Sequence, residues 1–223
     1  MRKIGVKAVL FDFDGTIMDS MGILYRIFNT VLKKFGLPTI TPQQFCEKAG
    51  RPVKDILRET VLKNRKIDDL FVRSFENEFV KIYVEEGFKD NKPFPSIYKA
   101  LDFLRFQGIK TAIVTTTPRV FLEDNLSRFG LKKYFDIIIA REDVKNYKPA
   151  PDVILKAIKL LKVKPNECAI VGDSPLDIKA GKKAKVKTIA VSTGLCSRKR
   201  LQKEKPTLLI KDISELIEII QKI

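Results

Sequence analysis

Five short apolar runs, at residues 8–11, 111–114, 137–140, 168–171 and 188–191, constrain the fold of this chain more than any other feature. Helix-like segments separate the last four. Residues 96–106 place Ile97, Leu101 and Leu104 on one stripe before Gly108, residues 118–129 open on Pro118 and stop at Gly130, and residues 153–161 and 175–184 repeat the theme. Parallel strands need crossovers of this length, and a sheet covered on both faces shows its strands as continuous apolar runs. The sequence therefore predicts an α/β fold: a parallel sheet with helices on both faces.

Residues 19–92 break the rhythm. Ile23, Leu24, Ile27, Phe28, Val31, Leu32 and Phe35 lie on one helical stripe that ends at Gly36-Leu37-Pro38. Thr41-Pro42 opens a second helix and Pro52 a third, while Ile67, Leu70, Phe71, Phe75, Phe79 and Ile82 trace a fourth. No strand-like run intervenes. The expectation is a small all-helical domain, residues 19–92, inserted after the first strand of a discontinuous core formed by residues 1–18 and 93–223. Its aromatic residues read as packing.

A length of 223 residues with 44% hydrophobic content is enough for a substantial core. No apolar stretch reaches membrane-spanning length, and the first residues lack the apolar core and small-residue cleavage site of a signal peptide, so a cytoplasmic location is expected. Cys46, Cys168 and Cys196 are odd in number and widely spaced, which argues against a zinc site and a disulfide framework; Cys168 reads as buried filling. The chain has no histidine, so mechanisms built on a Ser-His or Cys-His pair are excluded. Its net charge of +16 concentrates in residues 179–205, which hold ten basic residues against Glu204 alone. Such a block can attract anions. It lacks aromatic interleaving and any helix-turn-helix or zinc pattern, so it reads as a solvated surface with no specific nucleic-acid partner.

Ligands of an open parallel sheet bind outside the carboxyl ends of its strands. The polar residues found there are Asp12 and Asp14 after the first run, Thr115, Thr116 and Thr117 after the second, and Asp173 after Val171-Gly172; Lys148 follows the third run. Asp12 and Asp14 stand at i and i+2, and two adjacent carboxylates need a cation or a shared proton. This inventory suits phosphoryl transfer through an aspartyl-phosphate. Asp12 would be the nucleophile and Asp14 the acid and base, with Lys148 and Thr115 on the phosphoryl oxygens. A magnesium ion would be held by Asp12, Asp173 and the backbone carbonyl of Asp14. The amides of Gly15 and Thr16, with Thr116, would add contacts to the substrate. Asp173 also suits a helix cap, a role Ser174 fits equally. Asp177 suits either a helix N-terminus or a position behind the site, steadying Lys148 or the metal.

Asp12-Phe13-Asp14-Gly15-Thr16, Thr115, Lys148-Pro149 and Gly172-Asp173-Ser174-Pro175-Leu176-Asp177 together resemble, in order, the four motifs of the haloacid dehalogenase-like superfamily of phosphohydrolases. The resemblance implies a Rossmann-like core, a helical cap of the kind found in phosphoglycolate phosphatase-like and beta-phosphoglucomutase-like members, and magnesium. Dehalogenases and phosphonate hydrolases of the superfamily carry a different residue where this chain has Asp14, so a phosphatase or mutase is implied. Family mutases commonly carry a histidine at the start of the cap, which this chain lacks. Ala49-Gly50-Arg51-Pro52-Val53 resembles the cap loop that enters the active site, where Arg51 would grip an anionic group of the substrate. The expected activity is magnesium-dependent hydrolysis of a small organic phosphate monoester. A phosphosugar mutase and a non-catalytic phosphate- or nucleic-acid-binding protein are the alternatives.

Overall fold

The computed structural model of the protein describes residues 4–62 and 68–222. Its strands are β1 (Ile4–Val6), β2 (Ala8–Phe11), β3 (Lys110–Val114), β4 (Ile137–Ile139), β5 (Cys168–Gly172), β6 (Lys187–Val191), β7 (Leu208–Ile210) and β8 (Ile220–Lys222). Six of them form one parallel sheet in the order β4-β3-β2-β5-β6-β7, and β1 pairs with β8 beside it. The five apolar runs are all strands of the large sheet. The edge strand β7 and the β1–β8 pair are additions that three-residue segments gave no periodicity to reveal.

Side chains along each strand alternate between two cores. Val9, Phe11, Ile113, Ala169 and Val171 face Ile97, Leu101 and Leu104 of α6 (Ser96–Phe106) and Leu122 and Leu126 of α7 (Arg119–Arg128). Ala8, Leu10, Ala112, Val114 and Ile170 face Val153, Ile154, Ala157 and Leu161 of α8 (Asp152–Leu161) and Ala180 of α9 (Pro175–Lys183). Both faces are apolar because both are covered, as the uninterrupted runs require. Cys168 is buried and unpaired, and burial pushes its thiol up to about 11, in keeping with a packing role.

Between β2 and α6 the chain is helical: α1 (Met21–Lys34), α2 (Pro42–Cys46), α3 (Val53–Thr60), α4 (Asp69–Ile82), a π-helical turn at Tyr83–Gly87 and the single turn α5 (Phe88–Asp90). The α1 stripe buries Ile27, Phe28, Val31 and Leu32 against Phe45, Leu57 and Phe75. Each such side chain contributes at most about 1.5–3 kcal/mol. α1 stops where Gly36 turns to φ +65. The capping box of Thr41 and Gln44 starts α2, and the Asp68 side chain accepts from the Phe71 amide to start α4. Of the stripe expected for the fourth helix, Ile67 lies outside the described residues and Leu70 is exposed, while Phe75 and Ile82 are buried. The chain leaves and re-enters the core through a paired neck, in which the Asp19 amide donates to Lys92 O at 2.8 Å and the Phe94 amide to Ile17 O at 2.9 Å.

One expectation fails outright. Cys46, at the end of α2, and Cys196, after β6, form a disulfide with Cα atoms 5.3 Å apart and a sequence separation of 150. The pairing joins the helical region to the sheet domain. Beside it, Arg200 of α10 (Arg198–Lys203) meets Glu47 at 3.0 Å. The basic block is partly neutralised in place, since Glu204 receives Arg200 at 2.8 Å and Lys179 at 3.4 Å. The last helix, α11 (Leu216–Ile219), packs Leu216 and Ile219 into the core. Among the described residues, no helix is long and apolar enough to cross a membrane.

Candidate active site

β2 lies between β3 and β5, with Phe11 opposite Ile113 on one side and Val171 on the other. The chain runs outward from β2 in both directions, so the crevice beyond these three strand ends is the topological switch point of the sheet. Register alone therefore brings Asp12, Thr115 and Asp173 to one edge, and the Asp12 amide is fixed by Val171 O at 2.9 Å.

Lys148 arrives from the loop before α8. It is buried, and its Nζ donates to Asp12 Oδ1 at 2.8 Å and to Asp177 Oδ1 at 2.6 Å. Burial disfavours the ammonium, yet the two carboxylates hold its pKa above the ordinary lysine value, so it stays charged. Ser174 caps α9 and forms a capping box with Asp177, whose second oxygen accepts from the Ser174 amide. Asp177 thus fills both roles left open by its position: it complements the helix start and anchors Lys148.

Asp14 is placed by two hydroxyls. Ser20 Oγ donates to its Oδ1 and Thr117 Oγ1 to its Oδ2, each at 2.6 Å. Burial raises its pKa against the pull of these bonds, which suits a carboxyl group that must deliver a proton. Thr115 Oγ1 lies 2.8 Å from Thr117 Oγ1 and accepts from the Thr117 amide at 3.1 Å. The sequence points to no role for Ser20 or Thr117. Thr117 had a faint signal as the third residue of the threonine run, whereas Ser20 had none.

The turn after Asp14 departs from expectation. The Gly15 amide donates to Met18 O at 2.8 Å and the Thr16 amide to Phe13 O at 3.3 Å. Both are used to close the turn, so neither is the free phosphoryl donor that was expected. The Thr16 hydroxyl points to Asp173 Oδ1 at 3.4 Å, and Thr193 Oγ1 holds Gly15 O at 2.7 Å. Gly15 has φ +76, and a Cβ on it would collide with Asp173, as would one on Gly194. The two glycines leave a cradle around the Asp173 carboxylate that side chains would fill.

Oxygens of Asp12, Asp173 and Asp177 lie within 4.8 Å of one another, a set that can hold a metal ion. Burial pushes Asp12 up to about 7, with Asp177 adding to the rise and Lys148 opposing it; burial and then Asp12 hold Asp173 well above the usual carboxylate range. Lysine alone leaves this cluster short of positive charge. All-oxygen donors and an open cradle fit a hard divalent cation. The Asp14 carboxylate is not in the cluster, being turned toward Ser20 and Thr117.

A cavity of about 70 Å³ lies over this constellation, lined by Asp12, Asp14, Thr115, Thr116 and Asp173, with Ala49 and Gly50 of the helical region on its far side. Gly50 has φ +89, and a Cβ there would run into Thr116 Oγ1. The loop expected to enter the site does so. Arg51, however, is turned away to Glu59, donating through Nη1 at 2.9 Å and Nη2 at 2.6 Å. These bonds, with Lys48, pull Glu59 down to about 2.

Known proteins extend this picture. A family model described as haloacid dehalogenase-like hydrolase matches residues 9–191. The pyrophosphatase PpaX of Bacillus cereus (strain B4264) is 32% identical over 220 residues, covering 96% of each chain. A protein of Caldanaerobacter subterraneus subsp. tengcongensis, provisionally given the same name, is 33% identical over 216 residues, covering 97% of this chain and 95% of its own. A crystal structure from Bacteroides fragilis, provisionally named a haloacid dehalogenase-like hydrolase, superposes with a TM-score of 0.84 at 28% identity, covering 95% of this chain and 99% of that one. With the aspartates, threonines and lysine gathered at one sheet edge, the chain belongs to the haloacid dehalogenase-like hydrolases and is a phosphohydrolase of that family.

Proposed function

We propose that the protein is a magnesium-dependent phosphatase that hydrolyses a small organic phosphate monoester through a phosphorylated Asp12. The observation that carries this reading is the division of labour between two aspartates on one turn. Asp12 is held by an ammonium, while Asp14 is held by two hydroxyls and has its pKa raised by burial.

The Asp12 carboxylate attacks phosphorus, forming an acyl phosphate as the bond to the ester oxygen breaks. Asp14 gives its proton to that departing oxygen, which leaves as an alcohol. Asp14, now ionised, takes a proton from a water that attacks the acyl phosphate, and Asp12 is released as carboxylate with inorganic phosphate. Lys148 offsets the charge of Asp12 and of the phosphoryl oxygens, and Thr115 and Thr116 stand on the chamber wall as hydroxyl donors. Asp12 and Asp173, with Asp177 behind them, would hold the magnesium, which supplies Lewis-acid neutralisation of phosphoryl charge. The cap loop at Ala49 and Gly50 covers the chamber and limits access of bulk water.

Phosphate release from p-nitrophenyl phosphate and a panel of phosphate esters, with magnesium and with chelator, tests the proposal. Magnesium-dependent turnover with phosphate trapped on Asp12 is expected. A protein inert across the panel, or one equally active in chelator, would sink it. The named relatives are pyrophosphatases, so inorganic pyrophosphate belongs in that panel.

A further inference from the structure

A second cavity, about 380 Å³, opens from the small chamber into the space between the helical region and the sheet domain. The two share Asp14, Leu24, Ala49, Gly50, Thr116 and Thr117 as lining residues. Asp14 therefore stands at their junction, where the ester oxygen must lie if Asp14 is to protonate it. Whatever the phosphoryl group is attached to occupies the larger space, whose size falls in the range of small-molecule sites.

The walls of that space are apolar: Leu24, Phe28, Val53, Ile56 and Phe79 from the helices and Phe121 from α7. Phe28 packs on Phe79 at 6.4 Å and on Phe45 at 5.5 Å, so the aromatic cluster read from sequence as packing also presents a surface to the cavity. Among the described residues two cations line it, and each has a carboxylate partner. Arg51 is gripped by Glu59 through both terminal nitrogens. Arg141 lies 4.0 Å from Glu76 and sits over the Tyr147 ring at 5.4 Å. A leaving group with its own negative charge would enter an apolar room beside Asp14 and Glu76 with no unpaired cation among the described residues to receive it, and burying an unpaired charge is costly. Asn77 adds a neutral amide to this wall, which suits an uncharged substituent.

We infer that the substrate is the phosphate ester of an alcohol with an apolar, uncharged body, and that inorganic pyrophosphate and carboxylate-bearing esters such as phosphoglycolate are poor substrates of this chain. The inference rests on the phosphatase reading above and goes further by fixing the class of leaving group. It sets the chain apart from its relatives named as pyrophosphatases.

The test compares kcat/KM, in magnesium, for methyl, butyl and hexyl phosphate, phosphoglycolate and pyrophosphate. Burial of each methylene predicts about a fourfold gain, up to the length that fills the cavity. Butyl and hexyl phosphate are expected to exceed pyrophosphate and phosphoglycolate by more than tenfold. Phe79→Asn is expected to lower the hexyl-to-methyl ratio severalfold, a readout independent of the fraction of protein folded. A flat alkyl series, or pyrophosphate or phosphoglycolate hydrolysed better than butyl phosphate, overturns the inference and leaves the phosphatase reading standing. Failure to hydrolyse any of the five overturns both.

Discussion

The sheet edge and the helical region use charge in opposite ways. At the sheet edge, acidic side chains crowd around one buried lysine, Asp12 and Asp173 are driven far above ordinary carboxylate behaviour, and their oxygens, with those of Asp177, form a set that can hold a metal ion. In the helical region, Arg51 and Glu59 neutralise each other at the surface, and the wall turned toward the site is left apolar. The lesson is that buried, unbalanced charge gathers at the sheet edge, whereas the cations that line the larger cavity are each held by a carboxylate.

That contrast breaks most directly at Asp12. Asp12→Asn keeps the size of the side chain and removes the nucleophile, and a loss of turnover on the order of 10⁴-fold or more is expected in single-turnover and steady-state phosphate release. An active Asp12→Asn protein would end the comparison. Asp14→Asn tests the proton role separately, with an expected drop of about 10²- to 10⁴-fold in kcat at nearly unchanged fold stability.

Lys148→Met strips the shared cation from Asp12 and Asp177. Breaking a buried ion pair from one side costs about 3–5 kcal/mol, so the urea midpoint of the metal-free protein should fall by a corresponding amount. A shift no larger than that of a surface lysine would mean that the cluster is not the buried unit described here.

The pH dependence of stability sharpens the same point. Asp12 is raised from 3.8 to about 7 in the folded protein, so the fold favours its proton. Its contribution is fully present below about pH 4 and is lost as pH rises through about 7, because the unfolded chain releases that proton earlier. Magnesium competes with the proton for the same oxygens. The rise in Tm on adding magnesium should accordingly be larger at pH 8 than at pH 5.5, and calorimetry that finds equal shifts would contradict it.

The smallest effect is expected in the helical region. Arg51→Ala removes an exposed pair of a kind usually worth about 0.2–1 kcal/mol, with kcat/KM changing less than about tenfold on apolar esters. A loss of several orders of magnitude would return Arg51 to the substrate-gripping role that its loop position suggested.

Much of this is legible in the sequence. Two carboxylates after a buried run, a threonine run after the second, an aspartate after Val171-Gly172 and a lysine before a proline mark strand ends, and strand ends of a parallel sheet meet. The five runs and the helical stripes carried the fold because periodicity is a local property. Ser20 and the Cys46–Cys196 disulfide were not readable, because their partners are chosen by how the neck and the cap loop fold back. The amides of Gly15 and Thr16 misled for the same reason: their sequence position is right, and the closure of the turn through Met18 and Phe13 takes their hydrogen bonds.

By itself, then, the sequence determined the parallel sheet, the helical insertion and which polar residues stand at the strand ends, since strand burial and helical spacing are written along the chain. Only the tertiary structure decided which carboxylate is gripped by an ammonium and which by hydroxyls, that Arg51 faces Glu59 instead of the site, and that the room beyond Asp14 is apolar. Those outcomes depend on which distant side chains compete for each charge, and that competition exists only after the helical region has docked on the sheet.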